Sequence, residues 1–218
     1  MPGLVFISDT HTHHEDITEN LKRIHESDPT SILVHSGDIS YRGRPWEVER
    51  FVKWYSDLPF THKIFIAGNH DFLFETDSSL AKDIISDLGK DLIYLEDSGV
   101  EIEGIKFWGS PVTPWFHDWA FNRLSDIKHH WDLIPVDTNI LITHGPPKGI
   151  LDLTRSRLNV GCPILLEKIK ELKDLKIHSF GHIHEAHGVQ EIDEVTFVNA
   201  STLNLYYEVQ NSPIFLSL

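Results

Sequence analysis

Short runs rich in apolar residues alternate with amphipathic stretches along the first half of the chain. Such runs, each followed by polar residues or glycine, are typical of strands buried inside a layered sheet. Between the first two runs, Ile17, Leu21 and Ile24 lie at helical spacing, and residues 45–55 repeat that spacing behind a proline. The pattern predicts the order β-α-β-α-β, with strands at residues 4–7, 32–34 and 64–66, and further buried strands at 140–142 and 177–180.

The second half of the chain carries shorter predicted elements. Residues 80–88 predict a helix that Gly89 ends, and residues 100–108 alternate about Gly104 as a hairpin does. No repeat, low-complexity tract or linker divides the chain, so we expect one domain over residues 1–218, with helices flanking two packed sheets. One more helix is predicted at 165–169, and short closing strands at 189–192, 195–198 and 214–216.

The composition indicates a soluble globular chain and narrows its partners. Hydrophobic residues make up 40% of the 218 residues and charged residues 24%, so a packed core can form. The formal net charge is −14, which disfavours long nucleic acids and anionic membrane surfaces as main partners. No apolar run is long enough for a signal or a membrane span, so the expected location is cytoplasmic. The oligomeric state stays open.

Histidine is abundant in this chain and cysteine is nearly absent. There are 15 histidines and one cysteine, so a metal site would be built from imidazole and carboxylate groups rather than thiolates. These ligands favour manganese, iron or zinc, and the histidine content argues against magnesium alone. The single cysteine, Cys162, lies at a predicted helix start, where we expect it to pack rather than react.

Acidic, amide or imidazole side chains follow all five predicted buried strands directly. The carboxyl ends of strands in an open α/β sheet line the crevice where ligands bind, so we expect these side chains to share one cleft. Residues spaced by two point the same way, so Asp9 with His11 can chelate one cation, as can His182 with His184. Two ions need a shared ligand, and Asp38 is the candidate bridge. The other polar residues at strand ends are Asn69, His70, Asp71 and His144.

These residues fall into five motifs whose order and spacing resemble those of the calcineurin-like metallophosphoesterase superfamily. Longer segments around Pro114-Trp115-Phe116 and around His144 resemble its branch of metallophosphoesterase-domain-containing phosphodiesterases. The resemblance implies an α/β protein with a four-layer α/β/β/α sandwich of two mixed sheets flanked by helices. The motifs are Asp9-x-His11, Gly37-Asp38, Gly68-Asn69-His70-Asp71, His144 and Gly181-His182-x-His184.

The resemblance also implies a role for each matched residue. It implies two divalent metal ions, with manganese expected in vitro and iron or zinc as alternatives, and attack on phosphorus by metal-activated water. His70 would be the general acid beside the leaving oxygen, and Asp71 would orient its ring through a hydrogen bond. One ion would be held by Asp9, His11, Asp38 and His184, and the other by Asp38, Asn69, His144 and His182.

Substrate contacts are expected from the metal cleft and from an aromatic segment. The aromatic residues at 115–121 have two interpretations, a lid packed on the sandwich or a platform for a substrate ring. Arg123, just beyond them, either contacts a phosphate or base or pairs with a surface acid. The candidate substrate contacts are Asn69, His70, Trp115, Phe116 and Arg123.

Three functions of different classes follow. The first is a dinuclear phosphodiesterase acting on small phosphodiesters or nucleotides, with cyclic nucleotides as candidates, because the resemblance points to phosphodiesterases and the net charge disfavours long polyanions. The second is a phosphomonoesterase or protein phosphatase on the same dimetal core. The third is a noncatalytic metal-binding scaffold, which we disfavour because all seven metal positions and His70 hold chemically competent residues.

Overall fold

The computed structural model describes residues 2–217. Its helices are α1 (Thr18–Ser27), α2 (Pro45–Asp57), α3 (Phe72–Thr76), α4 (Ser78–Leu88), α5 (Ile127–Asp132) and α6 (Pro163–Ile169), with short 3-10 helices at His14–Ile17 and His184–Ala186. Within these residues no helix has the length and apolar character that crossing a bilayer requires. The strands are β1 (Gly3–Ile7), β2 (Ile32–His35), β3 (His62–Phe65), β4 (Leu92–Tyr94), β5 (Ser98–Ile102), β6 (Ile105–Ser110), β7 (Thr113–Pro114), β8 (Asn122–Arg123), β9 (Ile140–Thr143), β10 (Ile177–Phe180), β11 (Gly188–Ile192), β12 (Val195–Asn199) and β13 (Ile214–Ser217).

Most of the strands form two mixed sheets that pack face to face. In the first sheet, of order β13-β1-β2-β3-β4, strands β1 to β4 are parallel and β13 runs antiparallel beside β1. In the second sheet, of order β11-β12-β10-β9-β6-β5, the four central strands are parallel and the two edge strands are antiparallel to their neighbours. A short parallel pair, β7 with β8, lies outside both sheets.

Alternate residues of the central strands face opposite layers. In β1, Leu4 and Phe6 belong to the apolar cluster between the sheets, whereas Val5 and Ile7 belong to the cluster that includes α1, α2 and α4. The second sheet repeats this alternation, with its outer face against α5 and α6. Because both faces of these strands are buried, apolar residues predominate in them. The four-layer α/β/β/α sandwich is therefore confirmed.

The sequence pattern predicts the buried strands and the longer helices correctly. The five predicted buried strands are β1, β2, β3, β9 and β10, and the predicted helices are α1, α2, α4 and α6. The hairpin about Gly104 is β5 with β6, and α4 ends directly before Gly89. The predicted closing strands are β11, β12 and β13. The elements α3, α5, β4, β7 and β8 have no counterpart in the pattern, because elements this short carry too little periodicity.

The carboxyl ends of five parallel strands meet at one edge of the sandwich. The loops after β1 and β2 are joined by a hydrogen bond from the amide of Asp9 to the carbonyl of Gly37 (2.9 Å). The loops after β9 and β10 are joined in the same way. Between the two sheets, the hydroxyl groups of Ser36 and Ser179 lie 2.8 Å apart. Residues far apart in sequence therefore converge at this edge.

Tyr55 connects α2 to the first sheet through its hydroxyl group, and removing that hydroxyl tests the connection. The hydroxyl lies 2.9 Å from the carbonyl oxygen of Ile64 and 3.2 Å from that of Leu33, and the side chain is fully buried. Tyr55→Phe removes the only side-chain donor that these carbonyls have within residues 2–217, so we expect the free energy of unfolding to fall by about 1–3 kcal/mol. Tyr206→Phe, at a residue that is 71% exposed, should change it by less than about 0.5 kcal/mol. Equal losses in chemical denaturation of the two variants would contradict this role.

Candidate metal centre

The loops that follow β1, β2, β3, β9 and β10 bring the predicted ligand residues to one place. Asp38 and His11 each belong to two neighbouring groups of potential ligands, so the groups share residues, as expected for a two-ion site. Within the described residues, ligand atoms lie within 4.8 Å of one another in three sets: Asp9 with His11 and His184, His11 with Asp38 and His70, and Asp38 with His144 and His182.

Asp38 lies between the two halves of the centre. Its Oδ2 atom is 3.6 Å from Nε2 of His11 and 3.3 Å from Nε2 of His144. Its Oδ1 atom accepts a hydrogen bond from the backbone amide of His70 (2.8 Å), which leaves Oδ2 facing the two imidazoles. The flanking distances are 3.4 Å from Oδ1 of Asp9 to Nε2 of His184 and 2.9 Å from Oδ1 of Asn69 to Nε2 of His144.

Three of the histidines are oriented by backbone carbonyl groups. In each, Nδ1 donates to a carbonyl oxygen, so in the neutral ring Nε2 carries a lone pair directed into the centre, as in histidines that bind metals. Nε2 of His11 is buried and has no hydrogen-bond partner in the described chain. A divalent cation would satisfy this atom and the carboxylates around it, so the donor set fits a metal. The pairs are His11 with Ser40 (3.1 Å), His144 with Ser36 (3.0 Å) and His184 with Asn204 (3.0 Å).

Without metal, protons supply part of the positive charge that the buried carboxylates require. Burial disfavours protonation of His144, but the carboxylate of Asp38 outweighs it and the pKa of His144 rises to about 9. Asp9 has the same effect on His184, whose pKa also rises to about 9 against the effect of burial. Burial lowers the pKa of His11 to about 4, so this ring is neutral. Metal binding would therefore release protons.

The backbone around the centre is strained, and two glycines permit its close packing. A Cβ atom on Gly181 would overlap Oδ2 of Asp9, and one on Gly68 would overlap Oδ1 of Asp38. Non-glycine residues with positive φ cost free energy and are found where function requires a particular geometry. Here they are Asp9 (φ 50°), His11 (38°), Asp38 (56°) and His182 (67°).

The predicted role of Asp71 is wrong, because within the described residues its carboxylate makes no hydrogen bond to the ring of His70. Oδ2 of Asp71 accepts from the amides of Ile39 (3.1 Å) and Gly68 (2.7 Å), and Oδ1 accepts from the amide (2.9 Å) and hydroxyl (2.6 Å) of Ser40. Burial and the nearby charge of Asp38 raise the pKa of Asp71 to about 7. Asp71 therefore joins the loops after β2 and β3, which carry Asp38 and His70.

His70 lies at the rim of the centre with its ring held by other groups. Its Nδ1 donates to the carbonyl oxygen of Tyr41 (3.0 Å), and its ring centroid is 4.6 Å from that of His11. The residue is half-buried, so a substrate can approach the ring. The backbone carbonyl of Tyr41 performs the orienting role that the sequence predicted for Asp71.

The aromatic segment borders a cleft beside His182. Trp115 and Phe116 are 55% and 60% exposed and line a cavity of about 570 Å³ together with His182 and Leu205. Arg123 is not among the lining residues, and its Nη1 donates to Oε1 of Glu75 (2.8 Å). Of the two roles considered for Arg123, the structure therefore shows the ion pair with an acidic side chain.

Ser201, Asn204 and Tyr207 support the centre from the segment after β12. The hydroxyl of Ser201 donates to Oδ2 of Asp9 (2.8 Å), and the ring centroid of Tyr207 lies 4.9 Å from that of His11. No motif indicates these residues in the sequence. Only their place in the chain could have indicated these residues: they follow β12, which is parallel to β10, so its carboxyl end lies at the same edge.

Comparison with known proteins identifies the family. The family model described as calcineurin-like phosphoesterase matches residues 3–186. Metallophosphoesterase domain-containing protein 1 of Homo sapiens is 36% identical over 236 residues, which cover 98% of this chain and 70% of that protein. The Mus musculus protein of the same name gives the same values. The chain belongs to the calcineurin-like phosphoesterase family, which implies divalent metal ions at the centre described above.

Solved structures show the same fold at low sequence identity. The protein TT1561 of Thermus thermophilus superposes with a TM-score of 0.62 at 13% identity, covering 91% of this chain and 88% of that chain. Phosphopantetheinyl hydrolase of Mycobacterium tuberculosis superposes with a TM-score of 0.59 at 15% identity, covering 94% and 91%. At these identities the likeness concerns the fold alone.

Asp38→Asn tests whether Asp38 serves both halves of the centre. An amide is a weaker bridge than a carboxylate, so we expect the variant to lose paired metal occupancy and nearly all phosphoesterase turnover. Elemental analysis after loading with manganese and dialysis measures the metal content per chain. Asp16→Asn changes an exposed carboxylate and should keep the parent's metal content. Two ions per chain and a near-normal rate in Asp38→Asn would contradict the central role of this residue.

Proposed function

We propose that this member of the calcineurin-like phosphoesterase family is a two-metal phosphodiesterase that hydrolyses small phosphodiesters, with cyclic nucleotides as first candidates. The observation that carries the proposal is the chain of three potential ligand sets that are linked through His11 and Asp38, with His70 a member of the middle set. Carboxylate-bridged ion pairs serve in-line displacement at phosphorus, because they stabilise both the attacking and the leaving oxygen.

The proposed ligand sets divide the centre into two halves. Manganese, iron and zinc all suit imidazole with carboxylate and amide oxygen, so the donor set leaves the metal open among these three. Two divalent ions held there would supply positive charge for the phosphoryl oxygens and lower the pKa of a water molecule towards about 7. One half is Asp9, His11, Asp38 and His184, and the other is Asp38, Asn69, His144 and His182.

His70 is the proposed general acid. Hydrogen bonding of its Nδ1 to the carbonyl of Tyr41 leaves Nε2 as the atom that exchanges a proton with the substrate. In the imidazolium form, Nε2 would donate to the leaving alkoxide while the Tyr41 carbonyl stabilises the charged ring. The half-buried position beside His11 suits this role, because the ring is near the ligand atoms and still accessible.

The cleft beside His182 favours a diester over a monoester. A diester keeps a second substituent on phosphorus, and the exposed rings of Trp115 and Phe116 offer a surface for it. Among the described residues, no lysine or arginine lines this cleft, and Glu185 does. A phosphomonoester dianion or an acidic phosphopeptide would need cationic partners there, whereas a diester carries one negative charge. This lining disfavours the phosphomonoesterase and protein phosphatase alternatives.

A hydrolysis panel tests the proposed reaction. The manganese-loaded protein is assayed with bis(p-nitrophenyl) phosphate, p-nitrophenyl phosphate, 2′,3′- and 3′,5′-cyclic nucleotides, and a phosphopeptide. We expect larger kcat/KM values for the diesters than for the monoesters. Faster hydrolysis of monoesters throughout would refute the phosphodiesterase proposal, and no turnover of any ester would favour a noncatalytic scaffold.

His70→Ala separates proton donation from metal binding. We expect the metal content to stay at the parent value, while kcat for a cyclic nucleotide falls by about 10²–10⁴, because its alkoxide leaving group needs a proton. Bis(p-nitrophenyl) phosphate has a good leaving group and should lose far less. Equal losses for the two substrates would instead indicate that His70 positions the phosphate.

Trp115→Ala and Phe116→Ala test the aromatic surface of the cleft. Stacking of a nucleobase on an aromatic side chain contributes about 1–3 kcal/mol, so kcat/KM for cyclic nucleotides should fall by about 5–150-fold. Bis(p-nitrophenyl) phosphate carries aryl rings, so dimethyl phosphate or another alkyl diester is the reference. If nucleotide and alkyl diesters respond equally, Trp115 and Phe116 do not stack on a base.

A further inference from the structure

The imidazole ring of His70 is enclosed by neighbouring groups on three sides. The indole of Trp119 stacks on its face, with ring centroids 4.3 Å apart and planes at 26°. The ring of His11 meets it edge-on at 4.6 Å, and the carbonyl of Tyr41 accepts from Nδ1 at 3.0 Å. These contacts fix the orientation of the imidazole while Nε2 stays available.

Trp119 is held by a loop that is anchored beside His70 itself. The amide of Ala120 donates to the carbonyl of Asn69 (3.2 Å), the residue that precedes His70. The carboxylate of Glu75, on α3, accepts from the amide of Phe121 (3.0 Å) and from Arg123 (2.8 Å). We call these three contacts the Glu75 clamp. They tie the segment that carries Trp119 to the turn that carries His70.

Two further contacts hold the indole in place. The guanidinium carbon of Arg42 lies 5.4 Å from the centroid of the Trp119 ring, within the range of a cation–π interaction. The ring of Phe72 lies 5.7 Å away at 40°. Trp119 is half-buried among these groups, unlike the exposed Trp115 and Phe116 of the same segment. Its surroundings suit a side chain that supports a neighbour more than one that receives a substrate.

We propose that Trp119, fixed by the Glu75 clamp, is a positioning residue that holds the imidazole of His70 for proton donation to the leaving oxygen. The proposal rests on the proposed function, in which His70 is the general acid. A proton donor has to be held within a few tenths of an ångström of its working position, and misplacement by 1 Å can cost about 100-fold in rate. A free imidazole would rotate about its side-chain bonds, and the stacked indole prevents this.

The first experiment measures the contact without any turnover. In ¹H–¹³C correlation spectra of the metal-free protein, the ring protons of His70, assigned with His70→Gln, should be shifted upfield by the ring current of Trp119. Trp119→Leu should move these signals downfield by several tenths of a ppm or more. Trp46→Leu is the matched control, because Trp46 is 52% exposed on α2 and makes no ring contact among residues 2–217. Unmoved His70 signals in Trp119→Leu would overturn the proposal.

The second experiment measures the kinetic consequence. We expect Trp119→Leu to lower kcat for a cyclic nucleotide by about 10–100-fold with KM within about threefold, and to change hydrolysis of bis(p-nitrophenyl) phosphate by less than about threefold. Trp119→Phe should restore most of the rate. Arg123→Met, which opens the Glu75 clamp, should give a smaller loss of the same kind. Arg50→Met removes the exposed ion pair with Glu15 and should give none.

A double variant shows whether Trp119 acts through His70. If it does, His70→Ala with Trp119→Leu should be no slower than His70→Ala alone, because the second change has no donor left to misplace. Additive losses, a raised KM with unchanged kcat, or equal losses on both leaving groups would overturn the proposal and indicate a substrate platform. If the parent hydrolyses no phosphate ester, the proposed function fails, and the positioning role in catalysis fails with it. The spectra would then report only whether the indole holds the ring.

Discussion

Two ionised carboxylates, buried where the two sheets meet, constrain the rest of the structure. Asp9 and Asp38 are almost inaccessible to water, and a buried carboxylate is tolerated only with hydrogen-bond donors and positive charge around it. Asp9, in the first sheet's loops, accepts from the amide of His182 and the hydroxyl of Ser201, which follow strands of the second sheet. Satisfying this one side chain therefore fixes the register between the two sheets.

The same constraint explains why the backbone is strained at the centre. The loops must turn sharply to direct donors and ligand atoms towards the two carboxylates. The left-handed φ values of Asp9 and Asp38 produce these turns, at a cost of about 1–3 kcal/mol each. The strands that precede these loops are fully buried and carry apolar residues on both faces, so the sandwich core offsets the cost. Rigid strands thus hold a site that the loops alone would not maintain.

The sequence predicts the layers and the candidate metal ligands because each buried strand is a short apolar run that polar residues follow directly. It does not predict which groups orient those residues. Asp71 follows His70 directly, and adjacency suggests a hydrogen bond between them, but successive side chains diverge and the Asp71 carboxylate turns towards Ser40. The carbonyl groups that orient the imidazoles leave no trace in the residue types, since every residue has one. Tyr207 and Trp119 likewise come from loops whose course depends on the finished fold.

One segment, residues 113–123, contributes to both flanks of the centre. Trp115 and Phe116 line the cleft beside His182, and Trp119 lies on His70 on the other flank. The pairing of β7 with β8 and the Glu75 clamp fix this segment at both ends. In a phosphodiester, the retained ester and the leaving group must reach one flank each. Because a single anchored segment sets the separation of the two flanks, the size of diester accepted in the proposed phosphodiesterase reaction would depend on this segment more than on the metal ligands.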